Sequence, residues 1–424
     1  MVALVVITAT MVIPSVSASA VTAVDPDDMV LEWNLNALNA IANPNAADPP
    51  GLGQNPPFSP VSLAVVHGAI YDAVNSIDGR HEPYLGNIHA PPGASQAAAA
   101  ATAAHHVLVG ITPASLPQVT ASLNHLYNDI SLPKIPDGQA KTDGIAVGAA
   151  AAAAMLANRA GDGRANQSRT FPIGTEPGEW RLVPPLNANV FSWVADIRTF
   201  SLKSSSQLRV PDDPPLTSAL YTAEFNEVKA LGAQTGSTRS PAQNSLANFI
   251  VQNPVPIVNR AFRELAAAKG LSTAQQARLF AMTSISSADA LISCWDNKNY
   301  YLSWRPQTAI RLAETDGNPD TIADPNWSSL FSNPGYPDNP SGYNCFAASM
   351  MNAGRAFFGT DKVAFELKSA ASNRSYSRFT DYVRDAIDGR ILIGFHFRHA
   401  DVNGAWLGKK AAQWVAKHEF APVN

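Results

Sequence analysis

Lys298 and Arg305 stand seven positions apart in the stretch Cys-Trp-Asp-Asn-Lys-Asn-Tyr-Tyr-Leu-Ser-Trp-Arg-Pro, which runs from Cys294 to Pro306. At about 100° per residue, seven steps return to nearly the same helix face, so the spacing predicts two cations pointing the same way. Pro306 removes a backbone donor and disfavours helical geometry just before it, which predicts Arg305 at or near the end of that helix. Further along, Pro340-Ser341-Gly342 supplies a hydroxyl and a turn of N–H groups ahead of an apolar run rich in Met and Ala. Such helix starts favour bound oxyanions. Arg390 and His396 then add a third cation and an imidazole. Three positive charges with short N–H and O–H donors match a small multiply charged oxyanion. His396 adds an imidazole that, when neutral, can act as a ligand or a nucleophile.

Taken singly, these features read blandly. Lys298 with Arg305 could be a solvated helix face, and His396 between Phe395 and Phe397 a core histidine. Their order carries the information: Lys-x6-Arg-Pro, Pro-Ser-Gly and Arg-x5-His follow one another, and together they resemble the vanadium haloperoxidase and type 2 phosphatidic acid phosphatase superfamily. The resemblance extends through Thr308-Ala309-Ile310-Arg311, Asp316-Gly317-Asn318-Pro319 and His396-Phe397-Arg398, and covers at least Ala288 to Lys410. It implies paired helical bundles and an oxyanion held by Lys298, Arg305, Ser341, Gly342 and Arg390, with His396 as the vanadium ligand. The cofactor implied is vanadate, and phosphate fits the same site. The reaction implied is oxidation of halide by hydrogen peroxide. Two other readings stay open: a soluble acid phosphatase acting on a small phosphate ester through His396, and a non-catalytic oxyanion-binding homologue.

One position departs from the pattern. Where the family places a histidine after Pro-Ser-Gly, this chain has Tyr343, whose reference pKa of about 10 makes it a poor base near neutrality. His399, three residues after His396, would neighbour it on a helix and is the candidate substitute proton carrier. Trp295 matches an aromatic found at that place in chloride-oxidising members. With the lack of a clear membrane-spanning run, it tilts the expectation toward a haloperoxidase-like protein rather than a membrane-embedded lipid phosphatase.

The elements that must position these residues read as helices. The chain has 424 residues, 46% hydrophobic and 15% charged, with a formal net charge of -4. That length buries a sizeable core, and the mild acidity gives no reason to expect nucleic acid or anionic membrane as partner. Helical spacing runs through Ser62 to Ile77, alanine-rich stretches from Gln96 to Val109 and from Ile145 to Ala160, and the segments after Leu216. Ser272-Thr273-Ala274-Gln275 predicts the start of the helix that carries Lys298. No alternating pattern persists, so the expected class is all-α, with an N-terminal helical region over 29–250 and a C-terminal domain carrying the oxyanion site over 251–424.

The Pro-rich and Gly-rich segment from Gly161 to Pro215 reads as a long loop, whose Trp180 and Trp193 either wall a cleft or anchor the loop. Met1 to Ala20 ends in small residues and reads as a secretory signal, hence an exported protein. In such a chain Cys294 and Cys345, each four residues from a motif residue, either pair or remain buried thiols. The oligomeric state leaves no trace in the sequence.

Overall fold

The computed structural model describes residues 28–42, 51–86, 88–184 and 188–423. The expected signal segment, Met1 to Ala20, lies outside them. The first five helices are α1 (Met29–Ala42), α2 (Ser59–Asp78), α3 (Gln96–Ile111), α4 (Pro117–His125) and α5 (Gln139–Asn158). After a long strap come α6 (Ala219–Gly232), α7 (Pro241–Ile250), α8 (Pro254–Ala268), α9 (Thr273–Tyr301) and α10 (Pro306–Arg311). The chain closes with α11 (Gly342–Phe358), a hairpin of β1 (Phe365–Lys368) and β2 (Asn373–Tyr376), α12 (Phe379–Leu392) and α13 (Arg398–His418). The all-α reading holds apart from that hairpin, whose antiparallel register pairs Phe365 with Tyr376 and Lys368 with Asn373. Four-residue strands rich in Lys, Asn and Arg leave too short an alternation to be read from sequence.

Everything is arranged around α9. Its start is the expected one: the Ser272 side chain accepts from the Gln275 N–H while Gln275 reaches back to the Ser272 N–H, a reciprocal cap that satisfies two orphan donors. From Thr273 to Lys298 nearly every side chain is buried. α2 packs along one flank and α11 and α13 along another, so one apolar core runs from the N-terminal helices into the C-terminal ones. Among the described residues α5 is the one helix long and apolar enough to cross a membrane, and it packs lengthwise on α3.

A central helix buried on all sides should be apolar throughout, yet α9 carries Asp289, Asp296, Asn297 and Asn299. The strap explains them. Asp289 accepts from the main-chain N–H groups of Phe200, Ser201 and Leu202 at 2.6–2.8 Å. Arg209 donates to Asp296 at 2.6 Å, the Val210 N–H to Asn297 at 3.1 Å, and Ser192 to Asn299 at 2.7 Å. An irregular segment cannot satisfy its own backbone, so the helix supplies the partners. Trp180 and Trp193 are anchors in this scheme: both are buried, Trp180 edge-on to Phe171 and Trp193 edge-on to Phe58.

Candidate oxyanion site

Helix α9 ends earlier than the Lys298 and Arg305 spacing suggested. Leu302 adopts the left-handed conformation (φ 51°) as its C-cap, and Arg305 sits beyond it in extended backbone as the N-cap of α10. The two cations therefore share no helix face. They meet instead at one carbonyl: Lys298 donates to Pro337 O at 2.7 Å and Arg305 to the same oxygen at 3.4 Å. Lys298 also donates to Asp338 O at 2.8 Å, and Arg305 to Tyr336 O at 2.7 Å and Phe395 O at 2.8 Å. Both side chains are fully buried. An ammonium carries three donors and a guanidinium five, so after these bonds one hydrogen of Lys298 and two of Arg305 remain for a ligand.

Ser341 is the N-cap of α11 but makes no side-chain capping bond, which leaves the first-turn N–H groups of that helix without the usual partner. The helix begins this close to α9 because residue 342 is glycine: a Cβ there would lie 2.8 Å from the Trp295 ring. The Ser341 hydroxyl faces Asp401, a buried carboxyl that also accepts from Asn344 at 2.8 Å. Asp401 is pushed well above the usual carboxylate range by burial, against the pull of Ser341 and Arg390.

The third motif bends. α12 stops at Leu392, Gly394 turns the chain with φ 78°, and His396 lies in the link to α13. Six positions on a straight helix would have separated Arg390 and His396 by about 120°. The Gly394 turn removes that constraint.

Arg390 is the decisive side chain. It is 6% exposed, yet among the described residues it forms no hydrogen bond or ion pair with protein, and its Nε is a buried donor without a partner. Its guanidinium lies between the Tyr343 ring, at 5.0 Å, and the Phe395 ring, at 4.8 Å. A buried cation without a hydrogen-bonded counter-charge is costly, and this one fits a site built to receive an anion. A cavity of about 190 Å³ opens against it, walled by Trp295, Tyr336, Tyr343, Phe346 and Phe395. A larger cavity of about 760 Å³ lies away from this cluster, beside Phe58 and Trp193. Its Arg159 is already bonded to Asp162 at 2.8 Å and to the carbonyl of Thr199, so it offers no comparable free cation.

Electrostatics agree with an anion site. Burial pulls Lys298 down to about 8. His396 is held well below the usual imidazole range, first by burial and then by Arg305, Arg390 and Lys298, so its ring is neutral. Its Nδ1 is bonded to Asp338 Oδ1 at 2.5 Å. Burial raises Asp338 to about 7 against the opposing pull of Arg305, His399 and Lys298.

The two proton-carrier candidates look different in three dimensions. Tyr343 is part-buried with its hydroxyl 3.0 Å from that of Tyr382, and burial lifts it to about 12. It presents a ring face to Arg390 rather than a base to the site. His399, the candidate substitute proton carrier, is held on both ring nitrogens. Its Nδ1 meets Glu224 at 2.5 Å and its Nε2 meets Asp213 at 2.9 Å. Burial works against its charge, but those two carboxylates prevail and raise it to about 10. It is a fixed cation joining α13, α6 and the strap. Cys294 and Cys345 are both buried free thiols, with Cys294 Sγ 3.5 Å from Pro340 O.

Sequence reasoning missed Asp338. The signal was there, an acid three residues before Ser341, but one carboxylate in an Asp-, Asn- and Pro-rich loop looks like turn chemistry.

Comparison with known proteins covers the same part of the chain. The family model of the second helical-bundle domain of vanadium chloroperoxidase matches residues 278–424, which span the Lys298, Ser341, Arg390 and His396 motifs. Over those residues this chain is similar to the vanadium haloperoxidases. Vanadium chloroperoxidase of Curvularia inaequalis is 27% identical over 181 residues, covering 34% of this chain and 29% of the relative. The match thus spans under a third of that relative's length. Among solved structures, a bacterial vanadium-dependent iodoperoxidase superposes with a TM-score of 0.75 at 19% identity, over 94% of this chain and 97% of that one. A holo-type bacterial vanadium-dependent chloroperoxidase gives 0.70 at 16% identity, over 91% and 97%. At these identities the likeness is one of fold, and it extends beyond the C-terminal motifs to nearly the whole chain.

Proposed function

We propose that this protein is a vanadate-dependent haloperoxidase that uses hydrogen peroxide to oxidise a halide to hypohalous acid. The observation that carries the reading is Arg390, a buried guanidinium with no hydrogen-bond partner among the described residues, facing a small aromatic-walled cavity. Its donor set suits vanadate. Lys298, Arg305, Arg390, Ser341 and the Gly342 N–H would hold the oxyanion, and His396 would be the ligand to vanadium. Bound there, vanadate supplies a Lewis-acidic centre that activates peroxide toward a halide.

The chain's own residues do the rest. Main-chain carbonyls fix Lys298 and Arg305 before any ligand arrives, so little reorganisation is needed when negative charge enters. The neutral His396 ring keeps a lone pair available to a metal or phosphorus centre. Trp295, Tyr336 and Phe395 exclude bulk water from one side and strengthen every charge interaction inside. Tyr343 cannot exchange protons near neutrality as an imidazole does, which predicts slow turnover with protons passed through solvent. In cells, we place the protein outside the cytoplasm on the strength of its N-terminal sequence.

The test is halogenation of a phenolic dye by protein reconstituted with vanadate in phosphate-free buffer, beside hydrolysis of a small phosphate ester. Vanadate-dependent and peroxide-dependent halogenation supports the reading. Phosphatase activity that vanadate inhibits, lost in His396→Ala, would replace it with a histidine phosphatase. Tight anion binding without either activity would leave a binding protein.

A further inference from the structure

Asp338 lies outside the ordered motifs, yet it is fully buried and touches more of the site than any of them. Its Oδ1 meets His396 Nδ1 at 2.5 Å, and its Oδ2 accepts from the Phe397 N–H at 3.3 Å. The guanidinium of Arg305 stands 3.9 Å from Oδ1. Its main-chain carbonyl holds Lys298, and the preceding carbonyl, of Pro337, is shared between Lys298 and Arg305. The loop ends two residues later at Pro340, whose carbonyl accepts from Cys294 Sγ, and Ser341 then opens α11. One short segment therefore sets three of the groups that surround the anion.

The two nitrogens of an imidazole point to opposite sides of the ring, and the bond made by one decides which chemistry the other is free to do. Here Nδ1 is taken by Asp338, while Nε2 has no partner among the described residues. We propose that Asp338 is the positioning residue of the site: it fixes the orientation and tautomer of His396 and so commits Nε2 to the bound oxyanion centre. This rests on the reading of His396 as the ligand or nucleophile.

The carboxylate is needed for a specific reason. With the proton on Nδ1, two N–H groups, that of His396 and the amide of Phe397, converge on its two oxygens, and a carboxylate offers an acceptor to both. An asparagine of the same shape offers one acceptor and one donor. Whichever way its amide turns, one of the two N–H groups faces another donor. Asp338→Asn therefore keeps the volume and loses the function.

The experiment is two-bond proton–nitrogen NMR of the protein labelled with ¹⁵N-histidine, with the His396 signals assigned by their loss in His396→Gln. The wild-type ring is expected to carry its proton on Nδ1 with Nε2 bare. Asp338→Asn and Asp338→Ala are expected to give the other tautomer or a mixture. Orthovanadate affinity, measured by calorimetry on the same samples, should fall about 10- to 100-fold in both variants. A wild-type ring protonated on Nε2, or an Asp338→Asn ring and affinity identical to wild type, would overturn the proposal. A variant that melts lower but keeps the wild-type tautomer would reduce Asp338 to a structural part. Failure of the wild type to bind orthovanadate would instead count against the haloperoxidase reading, and the ring spectra would still decide the tautomer.

Discussion

Replacing Arg390 and replacing Arg305 should have opposite consequences, although both are buried arginines beside the same anion site. Arg305 is held by the carbonyls of Tyr336 and Phe395, and Arg305→Ala leaves those two oxygens buried without a donor. An unsatisfied buried group costs about 1–3 kcal/mol, so this variant should be markedly less stable even without ligand. Pro337 O is spared because Lys298 still reaches it. Among the described residues Arg390 donates to no acceptor, so Arg390→Ala strands none and relieves a buried cation that no ion pair holds. Its melting temperature in anion-free buffer should equal or exceed that of the wild type.

The loss should appear on adding ligand. Truncating one partner of a buried, hydrogen-bonded charge pair costs roughly 2–5 kcal/mol, which is roughly 30- to 5,000-fold in dissociation constant. Thermal melting with and without orthovanadate or phosphate reads both effects. At a hundredfold excess over its dissociation constant the anion stabilises the wild type by about 2.7 kcal/mol, and that increment should fall below about 1 kcal/mol in Arg390→Ala. If Arg390→Ala is as unstable as Arg305→Ala, or keeps the anion-induced increment, the assignment of Arg390 as the free anion receptor is wrong.

Three further outcomes follow from the same geometry. Lys298, with its folded pKa near 8, loses its charge as pH rises past that value, so oxyanion affinity should decline there in calorimetry. Because that value lies below the unfolded reference of about 10.4, this residue makes the anion-free protein gain stability over the same window, and Lys298→Met should flatten both trends. His399 has the opposite sign: its folded pKa, about 10, exceeds its unfolded value, so the stability it lends is complete below about 6.5 and disappears as pH climbs through 10. Denaturant midpoints across that range should show the decline in the wild type and not in His399→Gln. Tyr343→His should raise turnover by roughly 10²- to 10⁴-fold and bring in a titration near about 6.5, with oxyanion affinity little changed. An unchanged rate there would mean that the proton path bypasses position 343.

Much of the site was legible because its groups are fixed by local sequence. Ser341 and Gly342 read as a helix start, and the Ser272 cap announces α9. What was not legible is tertiary. Arg305 sits outside α9 because the chain leaves the helix at Leu302, before the proline that was expected to end it. The partners of His399 come from positions 213 and 224, far away in the chain, so its neighbour His396 in sequence said nothing about its charge. The polar residues of α9 look like a solvated face until the strap that consumes them is seen.

The most direct test of the central claim is a titration of the anion-free protein with orthovanadate in which bound vanadium and peroxide-dependent halide oxidation are followed in the same sample. The proposed function predicts that oxidation rises in proportion to bound vanadium and stops at one vanadate per chain, and that His396→Ala gives none. Halide oxidation that does not track bound vanadium, or saturated binding with no oxidation from acid to neutral pH, would contradict it.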